Sequence, residues 1–234
     1  MSPRRYQLGK RQDRIDESRR RVLDAARTLL AESASYTAFT VDAVAKKADV
    51  ARATVYYQFG SKTGLLDAVC DDLAETGQMS ELAGAFTDPD PRRGLRHFVV
   101  TFGRFWAADR PVMRRLRALA ALDPEVGAVI AARDERRRDG LRVLIGRLAS
   151  GGLLPASAGD AAEDADATGG GQPAANEAAA RVLLALTSFE TFDVLASPGR
   201  PLADVADEII RLAGAALGLR AGPAGPASGR RASG

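Results

Sequence analysis

The chain has 234 residues, of which 46% are hydrophobic and 27% are charged. That apolar fraction is normal for a folded globular protein and too high for full disorder. One cysteine and one histidine exclude an internal disulfide scaffold and a His-rich zinc site. No apolar run approaches the length of a membrane span, and the N-terminus lacks an apolar signal core, so we expect a cytoplasmic protein.

Positive charge is concentrated at the N-terminal end of the chain. Residues 1–66 hold 13 of the 33 Lys and Arg residues and 7 of the 30 Asp and Glu residues, a net charge of +6 against +3 for the whole chain. A basic end on a near-neutral body is typical of a module that binds a polyanion, although a solvated basic tail gives the same charge pattern.

Apolar residues recur at helical spacing through the first third of the chain. The spacing predicts a helix that begins near Glu17, after a basic flexible arm at residues 1–16. Thr40 is the predicted N-cap of a second short helix, because its hydroxyl can accept a hydrogen bond from an amide two or three residues on. A third short helix is predicted over Arg52–Phe59, and Ser61 is the predicted cap of a fourth.

The rest of the chain is predicted to be helical as well, so the fold class is all-α with about nine helices in total. Two interruptions are predicted: residues 151–175, rich in Gly, Ala and acid, form a flexible insert, and residues 218–234 form a disordered tail. The remaining helices are expected at about 92–108, 112–122, 125–150, 176–196 and 201–217.

The second and third helices are joined by about three residues, which is the pattern of a helix-turn-helix. Its second helix is the one that enters the major groove of DNA. The exposed face of that helix is expected to offer a guanidinium, small or methyl-bearing groups and hydroxyls, which suit base edges and phosphates. The residues concerned are Arg52, Ala53, Thr54, Tyr56 and Tyr57.

The segment from Arg20 to Leu73 resembles the DNA-binding domain of the TetR/AcrR family of transcriptional regulators. Four blocks carry the resemblance, in order and at family spacing, over about a quarter of the chain. They are the Ala25-Ala26 and Leu29-Leu30 helix, the Thr40-Val-x-x-Val-Ala block, the Ala53-Thr-Val-Tyr-Tyr-x-Phe59 block, and Ser61-Lys62 followed by Leu65-Leu66. The resemblance implies a DNA-binding domain at residues 17–62 and a helical effector-binding and dimerisation domain at residues 63–217.

The resemblance also implies roles for individual residues. Thr40 and Lys62 match phosphate contacts, and Arg52, Ala53 and Tyr57 match positions that face bases. Thr54 and Tyr56 match groove or phosphate positions, and the segment from Arg4 to Arg14 can add a minor-groove or backbone arm. Two residues depart from the family pattern: Asp49 stands where the turn usually has Gly, and Ala51 stands where the third helix usually has a Ser or Thr cap.

An aromatic face in the predicted helix at 92–108 can be ordinary core or can line the ligand cavity that the family resemblance implies. The candidate ligand-binding residues are Phe102, Phe105, Trp106 and Met113, with Phe189 and Phe192 from the opposite side. The helices at about 176–196 and 201–217 are apolar on more than one face, which indicates burial against a partner. In the family such helices form a homodimer interface.

The sequence therefore predicts a regulator that binds a palindromic operator in double-stranded DNA as a homodimer and is released by a small apolar or amphipathic effector of unknown identity. Repression is the commoner sense of regulation in the family, and activation stays open. The alternatives are a non-specific nucleoid-type DNA-binding protein, and a ligand-binding or protein-interaction module whose helix-turn-helix is vestigial. No nucleophile–base pair, metal cluster or phosphate loop points to an enzyme, so no catalytic residue, metal or cofactor is predicted.

Overall fold

The computed structural model describes residues 3–32, 39–155 and 171–220, with residues 3–11 described by their backbone alone. These residues form eleven α-helices and a short 3-10 helix at Met79–Leu82, and they contain no β-strand. The helices are α1 (Pro3–Glu32), α2 (Val41–Lys47), α3 (Arg52–Phe59), α4 (Lys62–Thr76), α5 (Ala83–Thr87), α6 (Pro91–Ala108), α7 (Arg110–Leu122), α8 (Pro124–Ser150), α9 (Gly171–Leu186), α10 (Phe189–Leu195) and α11 (Leu202–Leu217). The all-α prediction is confirmed, with more helices than the nine expected.

The chain divides into two compact units. The first comprises Met1–Glu81 with Thr101–Arg136, and the second comprises Leu82–Val100 with Arg137–Gly234. The helices α6 and α8 contribute residues to both units. The first unit is larger than the predicted domain at residues 17–62, because α1 packs against α4 and α7 as well as against α2.

The first unit has a continuous apolar core. Val22 and Ala26 of α1, Val44 of α2, Val55 of α3 and Leu66 of α4 are each at most 1% exposed. Their spacing within each helix produced the predicted stripes, so the local pattern and the packing agree. Cys70 of α4 is also buried, and burial raises the pKa of its thiol to about 11, so the thiol stays protonated at neutral pH.

Helix α1 begins at Pro3, so the prediction of a flexible arm over residues 1–16 is wrong for the backbone from residue 3 onward. The arm lacks the apolar stripe on which the prediction relied, yet it is rich in Arg, Lys and Gln, which have good helix propensity. Gln12 and Asp16 add a side-chain hydrogen bond of 2.9 Å between positions i and i+4. Proline at the first helical position is favourable, since its missing N–H is not needed there.

In the second unit, the predicted helix at 176–196 is two helices, α9 and α10, and that prediction is wrong at Thr187 and Ser188. The Ser188 hydroxyl accepts a hydrogen bond from the Thr191 amide at 3.2 Å and so caps a new helix. Buried Arg137 donates to the Leu184 carbonyl and to the Thr187 hydroxyl, both at 3.2 Å, which satisfies the end of α9.

The two predicted disordered segments lie mostly outside the described residues, since residues 156–170 and 221–234 are not described. Residues 171–175, predicted as part of the flexible insert, are instead the first residues of α9. Pro173 is tolerated there because it lies in the first turn, where its missing amide costs no helical hydrogen bond. Among the helices of the described residues, none is both long and apolar enough to span a bilayer.

Candidate nucleic-acid interface

Helix α2 starts as the sequence predicts, at an N-cap formed by Thr40. The Thr40 hydroxyl accepts a hydrogen bond from the Ala43 amide at 3.1 Å, and the Thr40 backbone is extended. The Thr40 side chain is exposed at the beginning of the helix. Its hydroxyl keeps its own proton for donation, so Thr40 can cap α2 and donate to an outside acceptor at the same time.

The turn between α2 and α3 holds Asp49 in the left-handed region, at a φ of 53°. This is the conformation for which glycine is favoured, so the departure from the family pattern at this position carries a backbone cost. The turn is held by backbone hydrogen bonds, including Val50 N–H to the Ala45 carbonyl at 3.0 Å. Arg21 of α1 donates to the Asp49 carbonyl at 2.7 Å and anchors the turn to the first helix.

Replacing Asp49 by glycine is expected to raise the free energy of unfolding by about 0.5–1 kcal/mol, because glycine adopts a positive φ without steric cost. Asp49→Ala is the matched control, since alanine removes the carboxylate but keeps the Cβ atom and should destabilise the turn. Urea unfolding followed by circular dichroism measures both. Equal stability of the glycine and alanine variants would contradict a strained turn.

Helix α3 starts without a side-chain cap, as predicted from Ala51, whose carbonyl accepts from the Thr54 amide at 2.9 Å. Only Val55 of this helix is buried, and it faces the core. The opposite face is open: Tyr57 is 83% exposed and Tyr56 is 40% exposed. Arg52 and Ala53 are exposed as well, whereas Thr54 is half-buried. Because the Tyr57 side chain is 83% exposed, it contributes little to the hydrophobic core. A large aromatic residue at this position therefore needs an explanation other than folding.

Arg52 is the most highly organised side chain on this face. Its Nη1 donates to Asp42 Oδ2 at 3.3 Å, and its Nη2 donates to the Tyr56 hydroxyl at 3.3 Å. Its Cζ atom lies 5.4 Å from the centre of the Tyr56 ring. The Arg52 guanidinium is a permanent cation, as in any arginine. The Tyr56 hydrogen bond and then the Asp42 charge raise its pKa further above the ordinary value.

Helix α1 holds the C-terminal end of α3. Gln58 donates from Nε2 to the Ser18 hydroxyl at 3.2 Å, and the Arg19 guanidinium lies 4.6 Å above the Phe59 ring. Phe59 is half-buried. Helix α3 is therefore fixed at both ends, by the Arg21-anchored turn and by these contacts.

Lys62, which is predicted to contact a phosphate, forms an ion pair within the protein. Its ammonium is half-buried and lies 2.9 Å from Asp123 Oδ2, where the ion pair joins α4 to the start of α8. This contact holds the pKa of the Asp123 carboxyl below its usual range, with the Lys62 hydrogen bond as the main cause. In this structure the Lys62 charge is neutralised within the protein.

The candidate ligand-binding residues are all buried, and they divide between the two units. In the first unit, the rings of Phe102, Phe105 and Trp106 pack together with centroids 4.6–6.3 Å apart, and Met113 is 4% exposed. Phe189 and Phe192 are buried in the second unit. The helix α4 ends against this aromatic cluster, because a Cβ atom on Gly77 would lie 2.5 Å from the Phe105 Cα atom.

Two residues of the interface escaped the sequence-based reasoning. Asp42 and Arg21 contact the third helix and the turn from positions 10 and 28 residues away in sequence. No periodicity links residues at such separations. The one local signal is that Asp42 lies in the first turn of α2, where an acidic residue is favoured by the helix dipole.

A helix-turn-helix with an anchored turn and an exposed second helix has the geometry of a DNA-binding motif, and the family comparison agrees with this interpretation. Residues 22–69 match the family described as bacterial regulatory proteins, tetR family. The chain carries a TetR-family DNA-binding domain. The matched range runs from α1 through the first half of α4 and includes both short helices of the predicted motif.

Solved structures with the same fold cover most of the chain. A regulatory protein of the tetR family from Rhodococcus RHA1 aligns with a TM-score of 0.60 at 21% identity, over 87% of this chain and 98% of its own. The TetR-family transcriptional regulator PfmR from Thermus thermophilus aligns with a TM-score of 0.55 at 21% identity, over 82% and 96%. GusR from Salmonella enterica aligns with a TM-score of 0.58 at 21% identity, over 86% and 95%. No curated protein matches the chain. The TetR-family domain and this fold support DNA-binding transcription regulation as the general function.

Proposed function

We propose that the protein is a repressor that binds a palindromic operator as a homodimer and is released by a small apolar or amphipathic effector. The observation that carries the proposal is the open face of α3, where Arg52, Ala53, Tyr56 and Tyr57 are exposed around a buried Val55. An α-helix fits the major groove, and a guanidinium with two phenolic hydroxyls can bond to base edges and phosphates. Thr40, Thr54 and Lys62 are the further proposed contacts of this surface.

Footprinting of the purified full-length protein on selected DNA tests the operator proposal. We expect a discrete protected palindrome whose half-site centres are about 34–36 Å apart, one turn of B-form DNA. Selection from a random duplex library supplies the site. Protection without any preferred sequence would support a nucleoid-type protein instead, and no DNA binding at all would support a vestigial motif. A reporter downstream of the selected site gives the sign of regulation.

The proposed dimer uses the helices predicted at about 176–196 and 201–217, which are α9 with α10 and α11. Helices α9 and α11 pack against each other in the second unit. Helix α9 leaves an apolar stripe open to solvent: Ala178, Val182 and Ala185 are all exposed and lie at helical spacing. Val182 is 37% exposed although it is a valine in the middle of the helix. A second copy of the chain would bury this stripe, as is expected of a two-fold interface.

Replacing Val182 by arginine is expected to convert the dimer to a monomer, because a charge cannot be buried unpaired in an apolar interface. Operator affinity should then fall, since a monomer has one helix-turn-helix and contacts one half-site only. Sedimentation equilibrium and operator titration measure the two effects. Leu122→Arg is the matched control for the oligomeric state, since Leu122 is 65% exposed at the end of α7 in the first unit and its replacement should leave the dimer intact. A Val182→Arg protein that stays dimeric would show that the dimer interface lies elsewhere on the chain.

The effector proposal places the ligand against the cluster of Phe102, Phe105 and Trp106. The packing of Gly77 at the end of α4 against Phe105 offers a mechanical link, because α4 follows directly on the helix-turn-helix. An effector that favours one position of α4 would change operator affinity by about 5–150-fold, which corresponds to a coupling free energy of about 1–3 kcal/mol. The chain contains a single tryptophan, Trp106, so tryptophan fluorescence, excited selectively over that of the tyrosines, reports on this cluster alone. Compounds that dissociate the operator complex should also change that fluorescence, and release without any change would place the effector elsewhere.

A further inference from the structure

The Arg52 guanidinium is bound by residues from two helices before any DNA is present. Asp42 of α2 holds one edge through Nη1 to Oδ2 at 3.3 Å, with Nε 3.2 Å from Oδ1. Tyr56 of α3 accepts from Nη2 at 3.3 Å. An exposed arginine normally samples many rotamers, because its long side chain carries a large conformational entropy. These contacts restrict that freedom on a side chain that is otherwise 60% exposed.

We infer that Asp42 is a positioning residue that orients the Arg52 guanidinium toward one base and so narrows the sequence preference of the protein to guanine at that position. The inference rests on the proposed function, since it names a determinant of operator specificity. A guanidinium has five N–H donors: one each on Nη1 and Nη2 donates to Asp42 and Tyr56, and Nε faces Asp42 Oδ1 at 3.2 Å. The remaining donors can contact the adjacent O6 and N7 acceptors of guanine in the major groove, which is the usual partner of arginine there.

The placement of Asp42 carries an electrostatic cost for DNA binding, beside its favourable interaction with the dipole of α2. Its side chain is 64% exposed at the start of α2, two residues after Thr40, on the surface proposed to meet the phosphates. A carboxylate there repels the DNA backbone and lowers non-specific affinity. Fixing Arg52 in one orientation offsets this loss through specificity, because a preorganised side chain loses less freedom when it binds its correct base.

Selection from a random duplex library with the full-length protein tests the inference. The Arg52→Ala variant first identifies the base position that Arg52 reads, as the position at which guanine preference disappears. Asp42→Asn is then expected to lower the guanine preference at that same position by about fivefold or more, since a bidentate arginine–guanine contact discriminates by at least that factor. Combining Asp42→Asn with Arg52→Ala should change the preference no further than Arg52→Ala does alone.

Asp24→Asn is the matched control, because Asp24 is an exposed carboxylate on α1 and its removal makes the same change in net charge. It should leave every base preference as in the wild type. Thermal unfolding of each variant checks that the fold is intact, and it also isolates the effect of Asp42 on the dipole of α2, which would change stability without changing base preference.

Two results would overturn the inference while leaving the proposed function in place. In the first, Asp42→Asn binds the selected operator more tightly with an unchanged guanine preference. Asp42 would then compete with the DNA for the Arg52 guanidinium and would not orient it toward a base. In the second, Asp42→Asn matches the wild type in both affinity and preference. A wild-type protein that enriches no sequence from the library would instead contradict the proposed function itself.

Discussion

Replacing Arg52 by alanine is expected to weaken operator binding by about 1–3 kcal/mol, which is about 5–150-fold, and to relax specificity at the base that Arg52 reads. The physical reason is that the guanidinium supplies several donors from an exposed position, and alanine supplies none. The fold should tolerate the change, because Arg52 buries no core surface and its ion pair with Asp42 is exposed on both sides. Fluorescence anisotropy on operator and mismatched duplexes measures affinity and specificity together.

Arg93→Ala is the matched control for charge and exposure. Arg93 is 64% exposed on its side chain and pairs with Asp88, so its removal makes the same change in net charge at a surface ion pair in the second unit. Operator affinity should stay close to that of the wild type, because Arg93 lies outside the proposed DNA-binding surface. Equal operator binding by wild type and Arg52→Ala would remove Arg52 from the reading surface.

Tyr57 extends the same test, since a side chain that is 83% exposed contributes little to folding. Tyr57→Phe keeps the ring and removes the hydroxyl, whereas Tyr57→Ala removes both. A loss of affinity in both variants would assign the contact to the hydroxyl, and a loss in Tyr57→Ala alone would assign it to packing against the DNA.

Replacing Arg27 by alanine is expected to lower the free energy of unfolding by about 1–3 kcal/mol. Arg27 lies on α1 and bridges two helices: Nη1 is 2.8 Å from Asp72 Oδ2 on α4, and Nη2 is 3.0 Å from Asp109 Oδ2 at the cap of α7. The three side chains are between 20% and 32% exposed, so the value lies between those of exposed and fully buried ion pairs. Removing the cation leaves two partly buried carboxylates without their partner.

Arg20→Ala provides the comparison for Arg27. Arg20 pairs with Glu17 on the same helix, and both side chains are well exposed, so its loss should cost less than about 0.5 kcal/mol. Urea unfolding of the two variants under the same conditions gives the difference directly. If the two variants prove equally stable, the ion pairs of Arg27 do not stabilise the packing of α1 against α4 and α7. Asp109→Asn in the Arg27→Ala background should recover part of the stability, because it removes one of the unpaired charges.

Local features of the helix-turn-helix could be predicted because each depends on residues close in sequence. The Thr40 and Ser61 caps bond to amides three residues away, at 3.1 Å and 2.9 Å. The uncapped start of α3 at Ala51 and the left-handed Asp49 depend on one residue each. The buried face of α3 also agreed with its apolar position at Val55. Such features are encoded by side-chain chemistry within one turn of helix.

The predictions failed where the signal was not apolar periodicity. The start of α1 was misplaced because a polar helix has no stripe to detect, and the break at Ser188 was missed because both flanking helices are apolar. The ion pair of Lys62 with Asp123 was also missed, because Asp123 lies 61 residues further along the chain, and the phosphate contact of Lys62 stays a proposal. A charged side chain has many partners of suitable chemistry, and only packing selects among them.

Capping chemistry and apolar spacing along the chain were enough to specify the helix-turn-helix and the face it presents, because both arise from neighbours within a few residues. Folding alone set the direction of Arg52 toward Asp42, the anchoring of the turn by Arg21 and the bridging of three helices by Arg27. These contacts join residues 10 to 82 positions apart, and their geometry follows from how the helices pack. The residues of the DNA-binding surface are thus determined by local sequence, whereas the orientation of the Arg52 side chain on that surface depends on contacts between residues distant in sequence.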